Sequence, residues 1–206
     1  MPARYLNAGS SVRLVAACTV AALNAGPFGA LAYSVEPGSR LDTLMHELAQ
    51  RQHGHASFVE RQYLAILDRP LESSGELFYD APNHIEKRTL LPKPASLMLD
   101  GGIVTIRRGT RTYTASLRDY PLFAALLESI RATLAGDRAS LEQAYTLSFT
   151  SEKAEWTLGL VPRDRAVAAI VARVRIAGAE DTVREVEIRR ADGDRSVMTI
   201  KDLLGK

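Results

Sequence analysis

The chain has 206 residues, 46% of them hydrophobic and 24% charged, an ordinary globular composition at a length that suits one domain or two small ones. Its 26 basic and 24 acidic side chains leave a formal charge of +2, which excludes the strong positive field of an electrostatic nucleic-acid binder. Aromatic residues at 6% supply no stacking platform for bases.

The N-terminus reads as an export signal. Arg4 and Arg13 are its only charges up to Ala32, residues 14–23 are an uninterrupted weakly polar-to-apolar run, and Ala30-Leu31-Ala32 forms an A-x-A cleavage pattern before Tyr33. The run is too short to cross a bilayer, which needs about 20 apolar residues; an uncleaved anchor is the alternative. Cys18, the one cysteine, follows a loose lipoprotein-like Val15-Ala16-Ala17. Only residues 14–17 separate it from Arg13, too few for an apolar signal core. Removal of residues 1–32 takes away Arg4 and Arg13 and no acid, so 26 basic residues become 24 and balance the 24 acidic ones. The remaining chain, 33–206, is expected to be a single cysteine-free domain that relies on its own core.

Ser39 is expected to cap a first helix from Arg40 to about His53, with Leu41, Leu44, Met45 and Leu48 as its apolar stripe and Gly54 as its end. Three strands follow, at 58–67, 73–80 and 84–89. Asp68-Arg69-Pro70, Ala81-Pro82-Asn83 and Leu91-Pro92-Lys93-Pro94 bound them, because proline cannot donate to a ladder and makes its predecessor extended. Leu77 and Tyr79 share one face of the second strand, Glu76 and Asp80 the other. Strands at 95–99 and 103–107 flank the hairpin turn Asp100-Gly101-Gly102, and another strand runs over 110–116.

The period then changes. Pro121 opens a helix on which Leu122, Phe123, Leu126, Leu127 and Ile130 share one face; Gly136 closes it, and Asp137 caps a shorter helix to about Ala144. Strands resume at 145–150 and 155–161, with Trp156, Leu158 and Leu160 on one face, and one or two helical turns are expected over 164–170. The last strands alternate clearly: Val174 and Ile176 between arginines, Val186 and Ile188 between charges, Met198 and Ile200 before the end, with Ala191-Asp192-Gly193-Asp194 as a hairpin turn. Such alternation belongs to a sheet with one solvated and one covered face.

Little in the pattern points to catalysis. His53-Gly54-His55 lacks the further ligands of a metal site and reads as a solvated helix end. Ser73-Ser74-Gly75 lacks the spacing and strand-to-helix context of a nucleophile elbow. Glu60 and Glu86 fall on strands expected to be adjacent and could pair for acid–base work, but such carboxylates more often sit on a wet face or pair with neighbours such as Arg61 or Arg88. The expectation is a protein that is not an enzyme and uses no metal or cofactor. The stripe from Leu122 to Ile130 could equally be ordinary core packing.

Three stretches carry a family resemblance: F-x-E-x-x from Phe58 near the end of the first helix, P-L-x-S-S-G-x-L-x-Y-x-x-P from Pro70 to Pro82, and S-L-M-L-D-G from Ser96. Together they resemble the LolA family of periplasmic lipoprotein carriers over roughly residues 39–203. The resemblance implies an α+β fold: a strongly curved, incomplete antiparallel β-barrel with helices, here about 119–144, lidding its concave side. It also implies an apolar hollow that holds acyl chains. Leu77, Tyr79, Leu97, Leu99, Ile106, Trp156 and Leu158 are the expected cavity residues from the sheet, and Leu122, Phe123, Leu126, Leu127 and Ile130 those from the lid. Typical members carry an arginine immediately before the proline that ends the second strand, bonded to the lid; this chain has Ala81 before Pro82. Typical members also continue past the last hairpin, where this chain ends at Lys206. It therefore looks more like LolA-related proteins serving dedicated lipid or glycolipid export. The implied role is a monomeric periplasmic carrier of a lipid, glycolipid or lipoprotein acyl chain. It would take that cargo from an inner-membrane exporter and pass it to an outer-membrane acceptor. A protein-interaction or envelope-sensor domain on the same scaffold is the alternative.

Overall fold

The computed structural model describes residues 37–203; the export signal expected at 1–32 lies outside them. Helix α1 (Pro37–Ala49) begins at Pro37 rather than being capped by Ser39, and stops four residues short of the expected His53. Its apolar stripe ends at Leu48, and the residues beyond have a better partner. Strand β1 (His53–Tyr63) pairs along its length with β2 (Leu71–Asp80), His53 opposite Asp80 and Gly54 opposite Tyr79. The ladder satisfies backbone groups that a helix end would leave to water. Gly54 is thus a strand residue, not a helix terminator, and a Cβ there would lie 3.4 Å from that of Tyr79. The first strand also starts and ends earlier than the expected 58–67, leaving Leu67 in a turn that donates its N–H to Leu64 O at 2.9 Å.

The rest of the first meander follows the turn chemistry. Strands β3 (His84–Leu91), β4 (Ala95–Asp100), β5 (Ile103–Arg108) and β6 (Arg111–Ser116) are joined by short turns. Gly101 and Gly102 take φ of 54° and 87°, the left-handed geometry of the hairpin turn their sequence signals. A single 3₁₀ turn over Leu117–Asp119 leads into α2 (Pro121–Leu134) and α3 (Arg138–Ala144). Both helices lie where the sequence places them. Asp137 caps α3, its carboxylate accepting from Ser140 N at 3.0 Å and Ser140 Oγ at 2.6 Å. The second meander comprises β7 (Tyr145–Glu152), β8 (Glu155–Pro162), the one-turn α4 (Arg165–Ala168), β9 (Val171–Ala179), β10 (Thr182–Arg190) and β11 (Arg195–Asp202).

All eleven strands form one antiparallel sheet in the order β6-β5-β4-β3-β2-β1-β11-β10-β9-β8-β7. The two meanders meet where the first strand pairs with the last, Phe58 opposite Ile200 and Glu60 opposite Met198. Helices α2 and α3 carry the chain from edge strand β6 to edge strand β7. The edges do not pair, so the fold is the expected open half-barrel.

The core fills only one side of the concave face. Leu158, Leu160 and Val174 are 0% exposed, and they cluster with Trp156, Ile176 and the α1 stripe of Leu41, Leu44, Met45 and Leu48. The fully buried part of α2 is small and partly polar, Ser129, Ala132 and Thr133, and the half-buried Leu126 packs against the edge of this core. The hydroxyls are satisfied within the helix, Ser129 Oγ donating to Leu126 O and Thr133 Oγ1 to Ser129 O, each at 2.7 Å. The turn after α2 is pressed onto α1. Gly136 has φ of 66°, and a Cβ on it would lie 2.0 Å from Met45 O. Gly136→Ala is therefore expected to cost about 2 kcal/mol or more, from left-handed strain plus displacement of α1, read as a lower urea midpoint. An unchanged midpoint would mean that α1 and this turn are not held together as described.

Candidate functional site

Burial on α2 is reversed from the usual amphipathic arrangement. Its small residues are buried, while Leu122, Phe123, Leu126, Leu127 and Ile130 are only partly covered. An ordinary surface helix puts its leucine stripe into the core. Here Leu126, Leu127, Ile130 and Leu134 look onto a hollow of about 260 Å³. The opposite wall is the concave face of β1–β4 and of β10 and β11. Register explains this wall: Leu77 lies opposite Ala56 and Lys87, and Lys87 opposite Leu97, so alternate residues of four strands share a face.

Six of the twelve residues expected to line a cavity do so: Leu77, Tyr79, Leu97, Leu126, Leu127 and Ile130. The structure places the other six elsewhere. Leu158 is wholly inside the α1 core, and Trp156 sits at that core's rim, its indole N–H donating to Glu180 O at 2.8 Å. Leu99 is 2% exposed on the same sheet face as Leu97, and Ile106, Leu122 and Phe123 are half-buried, none of them at the hollow's wall. Ile85, Val186, Ile188, Met198 and Ile200 line the wall without having been singled out from sequence. Alternation put Val186, Ile188, Met198 and Ile200 on a covered face, while Ile85 carried no such reading; only the β1–β11 pairing shows which hollow that face adjoins.

The apolar wall carries a polar cluster. Glu60 is 7% exposed and ion-pairs with Lys87. Its carboxylate also accepts from Ser196 Oγ at 2.5 Å and, more weakly, from Ser73 Oγ at 3.5 Å. Lys87 lies in the Leu77 row, two rows along the face from Glu60. Its chain crosses the row of Phe58 and Gly75, and its ammonium stands 5.0 Å from the Phe58 ring centroid. Burial by itself pushes the Glu60 carboxyl up, but the Lys87 ammonium and the hydrogen bonds from Lys87, Ser196 and Gln62 outweigh it and hold the group below its ordinary value. The acid pair considered from sequence is not formed. Glu60 and Glu86 lie on strands separated by β2 and on opposite faces, Glu86 pairing with Arg88 at 3.0 Å and Arg61 with Glu72 at 2.9 Å.

Two further polar features border the hollow. Arg51 bonds Asp202 at 2.7 Å and approaches Asp181 at 3.9 Å. The Tyr79 phenol oxygen is buried with no hydrogen-bond partner among the described residues; burial raises its pKa and Arg131 partly offsets the rise. His53 and His55, expected at a helix end, are strand residues on the outer face: His53 Nδ1 lies 2.7 Å from Asp80 Oδ1, and His55 stacks on Phe78 at 4.6 Å. A larger but open groove, about 830 Å³, runs beside α1 between charged residues such as Arg40, Glu47, Lys153 and Glu155. Its lining mixes these charges with Leu44, Phe149 and Trp156, whereas that of the smaller hollow is far more apolar.

A curved open sheet with a helix that turns its leucines onto an apolar hollow defines a lidded half-barrel fold. The chain belongs to the family described as outer membrane lipoprotein carrier protein LolA-like, whose model matches residues 34–202. Similar solved structures include a LolA superfamily protein from Nitrosomonas europaea, at 10% identity over 79% of this chain and 91% of that one, TM-score 0.41. A DUF1329 family protein from Desulfovibrio piger aligns at 11% identity over 82% and 93%, TM-score 0.48. MucB in the MucA/MucB complex of Pseudomonas aeruginosa aligns at 14% identity over 81% and 58%, TM-score 0.47. No curated protein matches the sequence.

The buried pair makes stability depend on pH. Because the folded carboxyl of Glu60 titrates below its unfolded value of about 4.3, its contribution is present above that pH and lost as pH falls through the folded value. Glu60→Gln should therefore lose stability at neutral pH and show a shallower decline below about pH 4.3 than wild type. Lys87→Met, which leaves the carboxylate buried and unpaired, should cost about 3–5 kcal/mol. Urea melts across the range check both; parallel curves for wild type and Glu60→Gln would remove Glu60 from this role.

Proposed function

We propose that the protein is a periplasmic carrier that holds the acyl chain of a lipid, glycolipid or lipoprotein non-covalently in the hollow under α2 and moves it between inner and outer membrane. The observation that carries this reading is the reversed burial of α2: a leucine stripe left half-covered above an apolar hollow. Stability alone would bury that stripe; keeping it available suits a reversible ligand.

The hollow, about 260 Å³, lies just below the range of about 300–1,000 Å³ usual for ligand pockets, so α2 lifts to admit a full acyl chain. Pro121 and Gly136 bound the helix and suit it to move as a unit. Opening uncovers Leu126, Leu127 and Ile130, and an entering chain covers them again at about 0.8 kcal/mol per buried methylene. Lid–sheet contact is thus exchanged for cargo–sheet contact, and the gap between closed and open states stays at a few kcal/mol. The donor is an inner-membrane exporter and the acceptor an outer-membrane protein. Direct hand-over keeps the acyl chain out of water, and none of these steps asks for a catalytic group, metal or cofactor.

Export rests on residues 1–32, removed by cleavage before Tyr33. Among the described residues no helix is long and apolar enough to cross a membrane. N-terminal sequencing of protein from the periplasmic fraction should begin at Tyr33; a lipidated Cys18 or retention with membranes would refute this. The charged groove beside α1 favours a second reading, a domain that binds a partner protein, under which acyl chains would not bind.

An environment-sensitive fluorescent fatty-acid probe distinguishes the two. It should bind wild type, and folded Leu126→Asp should bind it at least about tenfold more weakly, a difference of 1.4 kcal/mol. A cysteine at Leu127 paired with one on the facing sheet at about 5.5–6 Å Cα spacing, in protein starting at Tyr33, should block uptake when oxidised and restore it when reduced. Normal loading by the locked protein would make α2 plain core packing.

A further inference from the structure

We propose that Glu60, Lys87, Ser73 and Ser196 form a polar anchor for the head of the bound amphiphile, and that the group it takes is uncharged, carrying both a hydrogen-bond donor and an acceptor, as an amide or a hydroxylated glyceryl head does. This rests on the carrier reading above and names the chemistry of its cargo.

The cluster is poorly explained by stability. Replacing a buried ion pair with apolar side chains of similar volume is commonly neutral or stabilising, and the surrounding face, with Leu77, Leu97, Met198 and Ile200, is already apolar. Instead Lys87 is stretched diagonally across Phe58 to reach a carboxylate that opens on the same hollow. Glu60, Lys87 and Ser196 all line it.

The unused bonding capacity sets the ligand's character. An ammonium has three donors; Lys87 gives one to Glu60 and otherwise faces the Phe58 ring, so a ligand carbonyl or hydroxyl oxygen can accept from it. The Glu60 carboxylate is held by Lys87, Ser196 and Gln62 but only loosely by Ser73, at 3.5 Å, so a ligand N–H or O–H can take the place of that long bond. The pair is neutral overall. A carboxylate or phosphate would gain Lys87 only by approaching Glu60, and a cation the reverse; an uncharged donor–acceptor group meets both partners without like-charge repulsion.

The fold also orients the cargo. Ser196 and Asp202 occupy the same face of β11 with Met198 and Ile200 between them, a span of about 20 Å at about 3.4 Å per residue. The head sits at the Ser196 end, and the chain runs over Met198 and Ile200, beneath α2, toward the Arg51–Asp202 pair.

The test displaces a fluorescent acyl probe with monopalmitoylglycerol or with palmitate, equal in chain length, at neutral pH and below micellar concentrations. Wild type should prefer monopalmitoylglycerol by about tenfold or more, the scale of a hydrogen bond to a charged group. In the apolar double variant Glu60→Leu/Lys87→Met, checked to be folded, the ratio of the two displacements should fall to about one. Equal displacement by the two ligands in wild type, a result that needs no variant, would overturn the anchor and leave the carrier reading standing. So would an unchanged preference in the folded double variant. Failure of wild type to bind the probe at all would overturn the carrier reading, and the anchor with it.

Discussion

Covering the concave face of an eleven-stranded sheet is the constraint on which the rest of this structure depends. The face is apolar nearly throughout, because each strand alternates, and it is wider than the helices can pack. Helix α1 fills the part over β7 to β10, where Leu158, Leu160 and Val174 lose all contact with solvent. Over the other part there is only α2, held at its buried side by Ser129, Ala132 and Thr133. It bridges that face without filling it. The close approach of Gly136 to Met45 O anchors one end of the bridge, and the hollow is what remains beneath.

The pairing of β1 with β11 turns two ordinary meanders into one wall. It sets Glu60 beside Met198 and one step from Ser196, residues well over a hundred positions away in the chain. A carboxylate buried among such neighbours is tolerable only with a counter-charge and hydrogen bonds, and Lys87 supplies the charge from two strands away. A local polar requirement is thus met by non-local topology.

A carrier differs from an enzyme in what its site has to do. It must bind an apolar chain well enough to shelter it and loosely enough to release it. An empty, perfectly packed core would be too stable to open; an exposed groove would aggregate. A leucine stripe half-covered by the lid's own geometry lies between these, and in the proposed carrier its alternative partner is the cargo. The proposed polar anchor would add a directional element that an apolar hollow alone lacks.

Much of this was legible in the sequence where the governing physics is local. Pro121 and Gly136 bounded α2, Asp137 capped α3, Gly101 and Gly102 made their turn, and alternation assigned faces to Leu77, Tyr79, Val186 and Ile188. The end of α1 was not legible, because His53 and Gly54 left the helix for a ladder with Asp80 and Tyr79 that no local pattern records. Nor was the partner of Glu60, since strands adjacent in a sequence reading proved to be separated by β2. The sharpest case is Leu158 against Leu77. Each is an inward-facing leucine on an alternating strand, yet one is sealed under α1 and the other lines the hollow. Periodicity determines that a side chain points inward; only the strand order, and the reach of each helix across the sheet, decides whether it meets a packed core or a space left for something else.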